Sequence, residues 1–191
     1  MRTTIARPTA SPFAYAESTD HNSGKTDAIL KRPDTDPLVI HTQTSTEYWQ
    51  RRGSLVHTDT QGNDLAEPEG VRIYHWSASQ HTADPRQQAP RKAVTDNFLN
   101  IAQTSMLFRA HLDALDKWAT DGVEPPPSRI PRVSDGTLVP YEEWRGQHPS
   151  IPTKAIPQEP NQLPYMDFGP DEADGVLAKE PPDIIAEHGY T

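Results

Sequence analysis

Proline decides first what this chain can become. Twenty of its 191 residues are proline, and thirteen of those lie after Thr120. Each removes a backbone donor and fixes φ, so helices and central strands break where proline falls. Pro125-Pro126-Pro127 forbids continuation of any upstream helix. Ile151-Pro152, Ile156-Pro157 and Leu163-Pro164 string apolar anchors along extended chain, and Tyr165-Met166-Asp167-Phe168 is a last one. Residues 125–191 therefore read as an extended proline-rich tail. The one regular element expected there is a short edge strand at Gly136-Thr137-Leu138-Val139-Pro140. A tail of this kind either wraps a larger body or stays mobile.

Core-forming residues must then come from the first two thirds. The hydrophobic fraction is 34%, below the roughly 45–50% usual for a globular domain, so a modest core is expected. Residues 1–37 read as irregular, with a turn-rich run at Asp20–Thr26, a short helical turn at Asp27–Arg32 stopped by Pro33, and Phe13 and Tyr15 free to dock elsewhere. Leu38-Val39-Ile40-His41-Thr42 is a near-continuous apolar run suited to a buried parallel strand. Thr46 is placed to cap a short helix through Trp49 and Arg52. Ser54–Thr58 is a loop or short strand, and Gly62-Asn63-Asp64 a turn. Val71–Trp76, rich in β-branched and aromatic residues, is the second strand, with Val71, Ile73 and His75 alternating against Arg72, Tyr74 and Trp76. The chain is then polar through Thr95.

Asn97–Thr120 is the clearest helix. Phe108, Leu112, Leu115 and Ala119 form one stripe and Leu107, Ala110, Ala114 and Trp118 its neighbour, a face wide enough to cover a sheet. Gly122 is placed for a left-handed C-terminal cap. Strand, loop, strand, loop, long helix implies an α/β fold over residues 38–124. Two parallel strands alone do not make a stable sheet.

Charge and composition exclude several functions. The net charge is −9 with His neutral, and a nucleic-acid binder needs a basic face. The chain has no cysteine, which removes disulfides, thiolate catalysis and Cys-type zinc sites. The eight histidines contain no His-x-x-x-His, so no helix-borne zinc site is expected. No phosphate-cradling glycine loop occurs, and neither cofactor nor metal is expected. No stretch approaches the ~20 apolar residues of a membrane span. The N-terminal residues lack the apolar core of a signal peptide, which leaves the cytoplasm as the default compartment.

Two strand ends carry an ionisable group in a polar turn. Glu47 follows Leu38–Thr42, and His81 follows Val71–Trp76 and Ser77-Ala78-Ser79-Gln80. The C-terminal ends of strands are where open α/β sheets place their chemistry. A carboxylate that holds a histidine's tautomer and a histidine that accepts a nucleophile's proton are two members of a triad. Acid before histidine is the order that follows the serine in α/β-hydrolases. Asp59 and Asp64 compete for the acid role, and Glu47 is favoured because it lies nearest a strand end. The plain alternative for His81 is a surface loop histidine; for His41 and His75 it is a place in the sheet. Arg51-Arg52 beside Trp49 is either an anion site or a solvated pair. The nucleophile is missing: no Gly-x-Ser-x-Gly occurs, and neither Ser54 nor Ser79 sits between a strand and a helix.

Several segments together resemble a known family. They are Ser45-Thr46-Glu47-Tyr48-Trp49, Gly53-Ser54-Leu55-Val56-His57-Thr58-Asp59, Val71-Arg72-Ile73-Tyr74, Ser79-Gln80-His81, Ala114–Trp118, Asp121-Gly122-Val123, Pro125-Pro126-Pro127-Ser128-Arg129, Pro131-Arg132 and Asp135–Pro140. Phe13-Ala14-Tyr15 and Lys25-Thr26-Asp27 join them upstream. The chain resembles a bacterial family of α/β-hydrolase domain-containing proteins over roughly residues 12–170. The resemblance implies a partial α/β-hydrolase fold, comprising C-terminal strands and a long covering helix, and serine-hydrolase, esterase-like ancestry. By position it makes Glu47 the acid and His81 the base acting on a small-molecule ester substrate. Where the family reads Gly-Thr-Gln-His-Gly, this chain has Ala78-Ser79-Gln80-His81-Thr82, without either glycine.

The family's greater length implies that the nucleophile lies in an N-terminal part outside this chain. The expectation is a fragment inactive alone, partnered by that part or by a second chain. The competing expectation, from a different class, is a non-catalytic interaction protein that binds a partner through its acidic proline-rich tail.

Overall fold

The computed structural model describes residues 14–21, 24–81, 89–92, 97–100, 102–152, 154–158, 164–172 and 175–186. Phe13, Leu163 and much of the polar stretch after His81 lie outside these. Within the segment read as irregular, β1 (Ser18–Thr19) and β2 (Thr26–Asp27) form a small antiparallel hairpin around the turn-rich run. The helical turn expected at Asp27–Arg32 does not form. Asp27 closes β2 instead, and its carboxylate binds Lys31 and the amide of Ala28.

The central element is a parallel pair, β3 (Val39–Thr44) and β4 (Val71–Trp76), in register from Val39 opposite Val71 to Thr44 opposite Trp76. β3 starts one residue later and runs two further than Leu38–Thr42, and it is mostly half-buried. β4 occupies the expected residues. Its alternation does not sort buried from exposed, because Val71, Ile73, Tyr74 and Trp76 are all buried. Both faces of β4 are covered, as parallel strands require.

The proline run supplies a third edge. Arg129 pairs with Tyr74 as a parallel bridge; its amide donates to the Ile73 carbonyl at 2.9 Å, and its carbonyl accepts the His75 amide at 2.8 Å. Ser128 Oγ accepts the Ile73 amide at 2.7 Å, and the Tyr74 hydroxyl donates to the Pro126 carbonyl at 2.6 Å. Edge positions tolerate proline because one side of the strand needs no donor. The edge role expected for Gly136–Pro140 therefore falls to Pro126–Arg129. Residues 136–140 form a turn leading into a short helix.

Two helices frame the pair. α1 (Ser45–Arg51) starts directly from β3, with Thr44 rather than Thr46 as its cap, and Arg52 closes it in the left-handed region. A single 3₁₀ turn, Gly53–Val56, stands where a loop or strand was expected. α2 (Ser105–Asp121) begins eight residues later than the sequence pattern predicts and ends where expected, on Gly122 at φ +70°.

The α2 face that meets the sheet is His111, Ala114, Leu115 and Trp118, at the i, i+3, i+4, i+7 spacing of one helix stripe. His111 stacks on Tyr74 (ring centroids 4.4 Å) and Trp76 (5.5 Å), and the Trp76 ring meets Phe108 edge-on at 4.5 Å. The Arg72 guanidinium lies over the Trp118 ring at 5.1 Å and pairs with Glu124 at 2.6 Å. The wide apolar face predicted for this helix is not buried as a whole: Phe108 and Leu112 stay more than half exposed. Two strands and one edge segment are too narrow to cover it.

The tail is more ordered than its prolines suggest. α3 (Tyr141–Gln147) sets Trp144 against Trp49 of α1, with centroids 4.5 Å apart. The Tyr141 hydroxyl donates to the Pro157 carbonyl. β5 (Tyr165–Asp167) pairs antiparallel with β6 (Asp183–Ala186), and Lys179 bridges Asp167 and Asp183. Among the described residues no helix is long and apolar enough to cross a membrane.

Candidate active site

α1 is built so that its third residue points backward. Thr44 and Glu47 form a capping box: Glu47 Oε2 accepts the Thr44 amide at 2.6 Å and also the Thr44 hydroxyl. One carboxylate oxygen is thereby held by the helix start. The other is free to look across to the end of β4, because β3 and β4 are parallel and in register there.

His81 sits at that end. Its Nδ1 is hydrogen-bonded to Glu47 Oε1. The Glu47 side chain is only 19% exposed, the His81 side chain 56%. A carboxylate accepts and cannot donate, so the neutral ring carries its proton on Nδ1 and leaves Nε2 as the proton acceptor. Burial works against the charged form of Glu47, but the hydrogen bonds from Thr44 and His81 outweigh it and hold its pKa below the ordinary value. The acid therefore stays ionised at neutral pH.

The competing carboxylates have other tasks. Asp59 Oδ1 accepts the amides of Gln61 and Asn63 and shapes the turn through Gly62. Asp64 accepts the amides of Val133 and Ser134. Of Arg51-Arg52, Arg51 is the basic residue in the last turn of α1 and Arg52 the left-handed residue that ends it. Among the described residues no three His, Asp or Glu side chains gather as a metal site.

Behind the pair lies a cluster built on His41 and His75, which stand in β3 and β4 as expected, together with Tyr15, Tyr48 and His57. His57, 5% exposed, shares a hydrogen bond with the Tyr48 hydroxyl at 2.7 Å, and the Tyr48 ring packs on His75 at 4.5 Å. His41 binds the Tyr15 hydroxyl at 2.9 Å, and Gln43 Nε2 donates to the Gly53 carbonyl at 2.8 Å. Tyr48 and His57 lie in separate sequence segments, and only the packing of α1 against the 3₁₀ turn brings them together. Gly53 is closely packed there: a Cβ would stand 2.2 Å from Gln43 Oε1 and 3.1 Å from the carbonyl carbon of Glu47, so a side chain would displace the Gln43 amide. A small cavity lined by Tyr15, His57, Glu67, Ile73 and Arg132 adjoins this cluster and is not lined by Glu47 or His81.

The buried cluster makes the fold acid-sensitive. Burial, with help from Arg132, pushes the His57 pKa down from 6.5 to about 4. Between those two values the unfolded chain binds a proton that the folded chain excludes, so stability falls as pH drops through this window and is level above it. The loss is on the order of 3 kcal/mol. Burial lowers His41, His75 and His111 as well, adding slope of the same sign. Urea midpoints between pH 7 and pH 4.5 should fall steeply, and His57→Gln should flatten most of that fall. An unchanged slope in the variant contradicts this assignment.

Ala78 adopts φ +59°. A left-handed alanine costs roughly 1 kcal/mol relative to glycine. Ala78→Gly should therefore raise the thermal midpoint by a few degrees, read by circular dichroism. A lower midpoint would mean that the conformational freedom glycine adds to the unfolded chain outweighs the relieved strain.

An in-register parallel pair, a crossover between its strands, a helix packed on the second strand and a carboxylate–histidine contact at the strand ends define an α/β domain. The alpha/beta hydrolase domain family matches residues 4–151, well over half of the chain, and the chain belongs to that family. No curated protein and no solved structure matches it.

Proposed function

We propose that this chain contributes the acid and the base of a Ser–Glu–His triad in an esterase-like serine hydrolase, with the serine supplied from outside its 191 residues. The observation that carries the reading is the Glu47 Oε1–His81 Nδ1 hydrogen bond, formed across 34 residues at the ends of adjacent parallel strands. In this reaction class His81 Nε2 takes the proton from the serine hydroxyl as its oxygen attacks the ester carbonyl. It then returns the proton to the leaving alcohol, while Glu47 stabilises the imidazolium formed in between.

The missing serine makes the reading specific. The pure chain should neither turn over p-nitrophenyl acetate nor react covalently with a fluorophosphonate. Turnover by the pure chain that His81→Ala abolishes would overturn the placement of the nucleophile elsewhere. The genomic sequence around Met1 tests the source of the serine. An in-frame upstream segment with Gly-x-Ser-x-Gly makes the serine part of the same polypeptide, and a neighbouring serine-bearing reading frame makes it a second chain. Absence of both counts against the proposal.

A further inference from the structure

The turn that carries His81 is held to α1 by more than the carboxylate. Ser45 Oγ accepts the amide of Ala78 at 2.8 Å. Thr46 Oγ1 accepts the amide of His81 itself at 3.2 Å. Glu47 takes the imidazole. Three consecutive side chains of one helical turn thus grip three points of one loop, which is possible because the loop sits over the start of α1 rather than beside it. The opposite side of the loop is held as well: Asn100 Nδ2 donates to the Ala78 carbonyl, and Gln80 Nε2 donates to the Asn100 carbonyl at 3.0 Å. Ala78, the residue in left-handed backbone, has both its amide and its carbonyl bound by side chains.

We infer that Ser45 and Thr46 are positioning residues for His81, fixing the backbone of its turn so that the ring meets Glu47 in one tautomer. This rests on the reading of Glu47 and His81 as an acid–base pair. The reason is geometric. A histidine side chain that is 56% exposed has solvent competing for Nδ1 and rotamers available that leave the acid. A single side-chain hydrogen bond to a mobile loop is a weak constraint. Anchoring the amides of residues 78 and 81 removes the loop's freedom before the ring's hydrogen bond forms, which is the support that a preorganised site needs. It also holds the left-handed bend at Ala78, a conformation that glycine adopts more readily than alanine.

The test is nuclear magnetic resonance on the full chain, with two readouts. Amide exchange reports the hydroxyl contacts, and the imidazole nitrogens report the tautomer of the neutral ring. Ser45→Ala should remove protection at Ala78, and Thr46→Ala at His81, while β4 stays protected in both. The double variant should lower the ratio of Nδ1–H to Nε2–H at His81 by roughly three- to tenfold with Glu47 intact. Ser45→Thr with Thr46→Ser, which keep both hydroxyls, should restore it. A double variant that keeps the wild-type tautomer ratio overturns the positioning role while leaving the pair intact. A wild-type ring with the free-imidazole ratio, unaltered by Glu47→Ala, overturns the pair itself and the inference with it.

Discussion

Replacing His81 by alanine is expected to lower kcat of the serine-bearing hydrolase by about 10⁶-fold, with KM nearly unchanged. In the proposed mechanism the imidazole moves the proton, and Glu47 does not replace it because it is committed to Nδ1 and to the cap of α1. Glu47→Gln should cost less, about 10⁴-fold, because the amide keeps the shape but no longer selects the Nδ1–H form or stabilises the imidazolium. The ordering matters more than either value. The double variant should be no worse than His81→Ala alone, since an acid that acts only through the histidine has nothing left to act on. Steady-state kinetics of the serine-bearing enzyme with a short-chain ester checks all three. A Glu47 variant as damaging as the His81 variant, or losses that multiply in the double, would mean that the carboxylate acts on its own.

The largest stability effect is expected at Trp76. Its ring is buried between Phe108 and His111 of α2, at centroid distances of 4.5 and 5.5 Å. It is the main apolar joint between the parallel pair and the long helix at the end next to the histidine turn. Trp76→Ala should destabilise the fold by about 3–5 kcal/mol, a fall in thermal midpoint of roughly 6–20 °C for a chain of this size. Urea unfolding followed by far-ultraviolet circular dichroism should show the loss, and Trp76→Phe should recover part of it. Because Leu112 is 68% exposed, Leu112→Ala should change stability by well under 1 kcal/mol. Equal losses at Trp76 and Leu112 would show that the exposed face is covered in solution.

The contrast between those two positions marks where sequence and structure part. Periodicity found α2 and its C-terminal glycine, because a 3.6-residue repeat and a left-handed cap are local properties. It misjudged which stripe is buried, because that depends on how wide a surface the helix meets. His111 was invisible as a core residue for the same reason: a polar ring becomes an apolar surface only when Tyr74 and Trp76 are there to stack on it. The helix starts later than the pattern predicts, at Ser105, with Thr104 as its N-terminal cap.

Prolines misled in the opposite direction. Read along the chain they signal absence of structure, yet Pro126–Arg129 closes the edge of β4 through backbone groups that a proline pattern does not display. β5 and β6 were missed because each is three or four residues long and pairs across a gap that no local signal spans.

What the sequence determined by itself was chemical and local: the strand at Val71–Trp76, the absence of a serine elbow, the order of acid before histidine, and the family those segments resemble. Each rests on residue identity or on neighbours a few positions apart. What only the tertiary structure decided was convergence. Glu47 rather than Asp59 or Asp64 meets His81 because β3 and β4 are parallel and in register, so that the turn after one strand lies over the helix that follows the other. The same register sets Ser45 and Thr46 beneath the histidine turn, and Tyr48 against His57 and His75. Register is a property of two segments together, and neither segment alone encodes it.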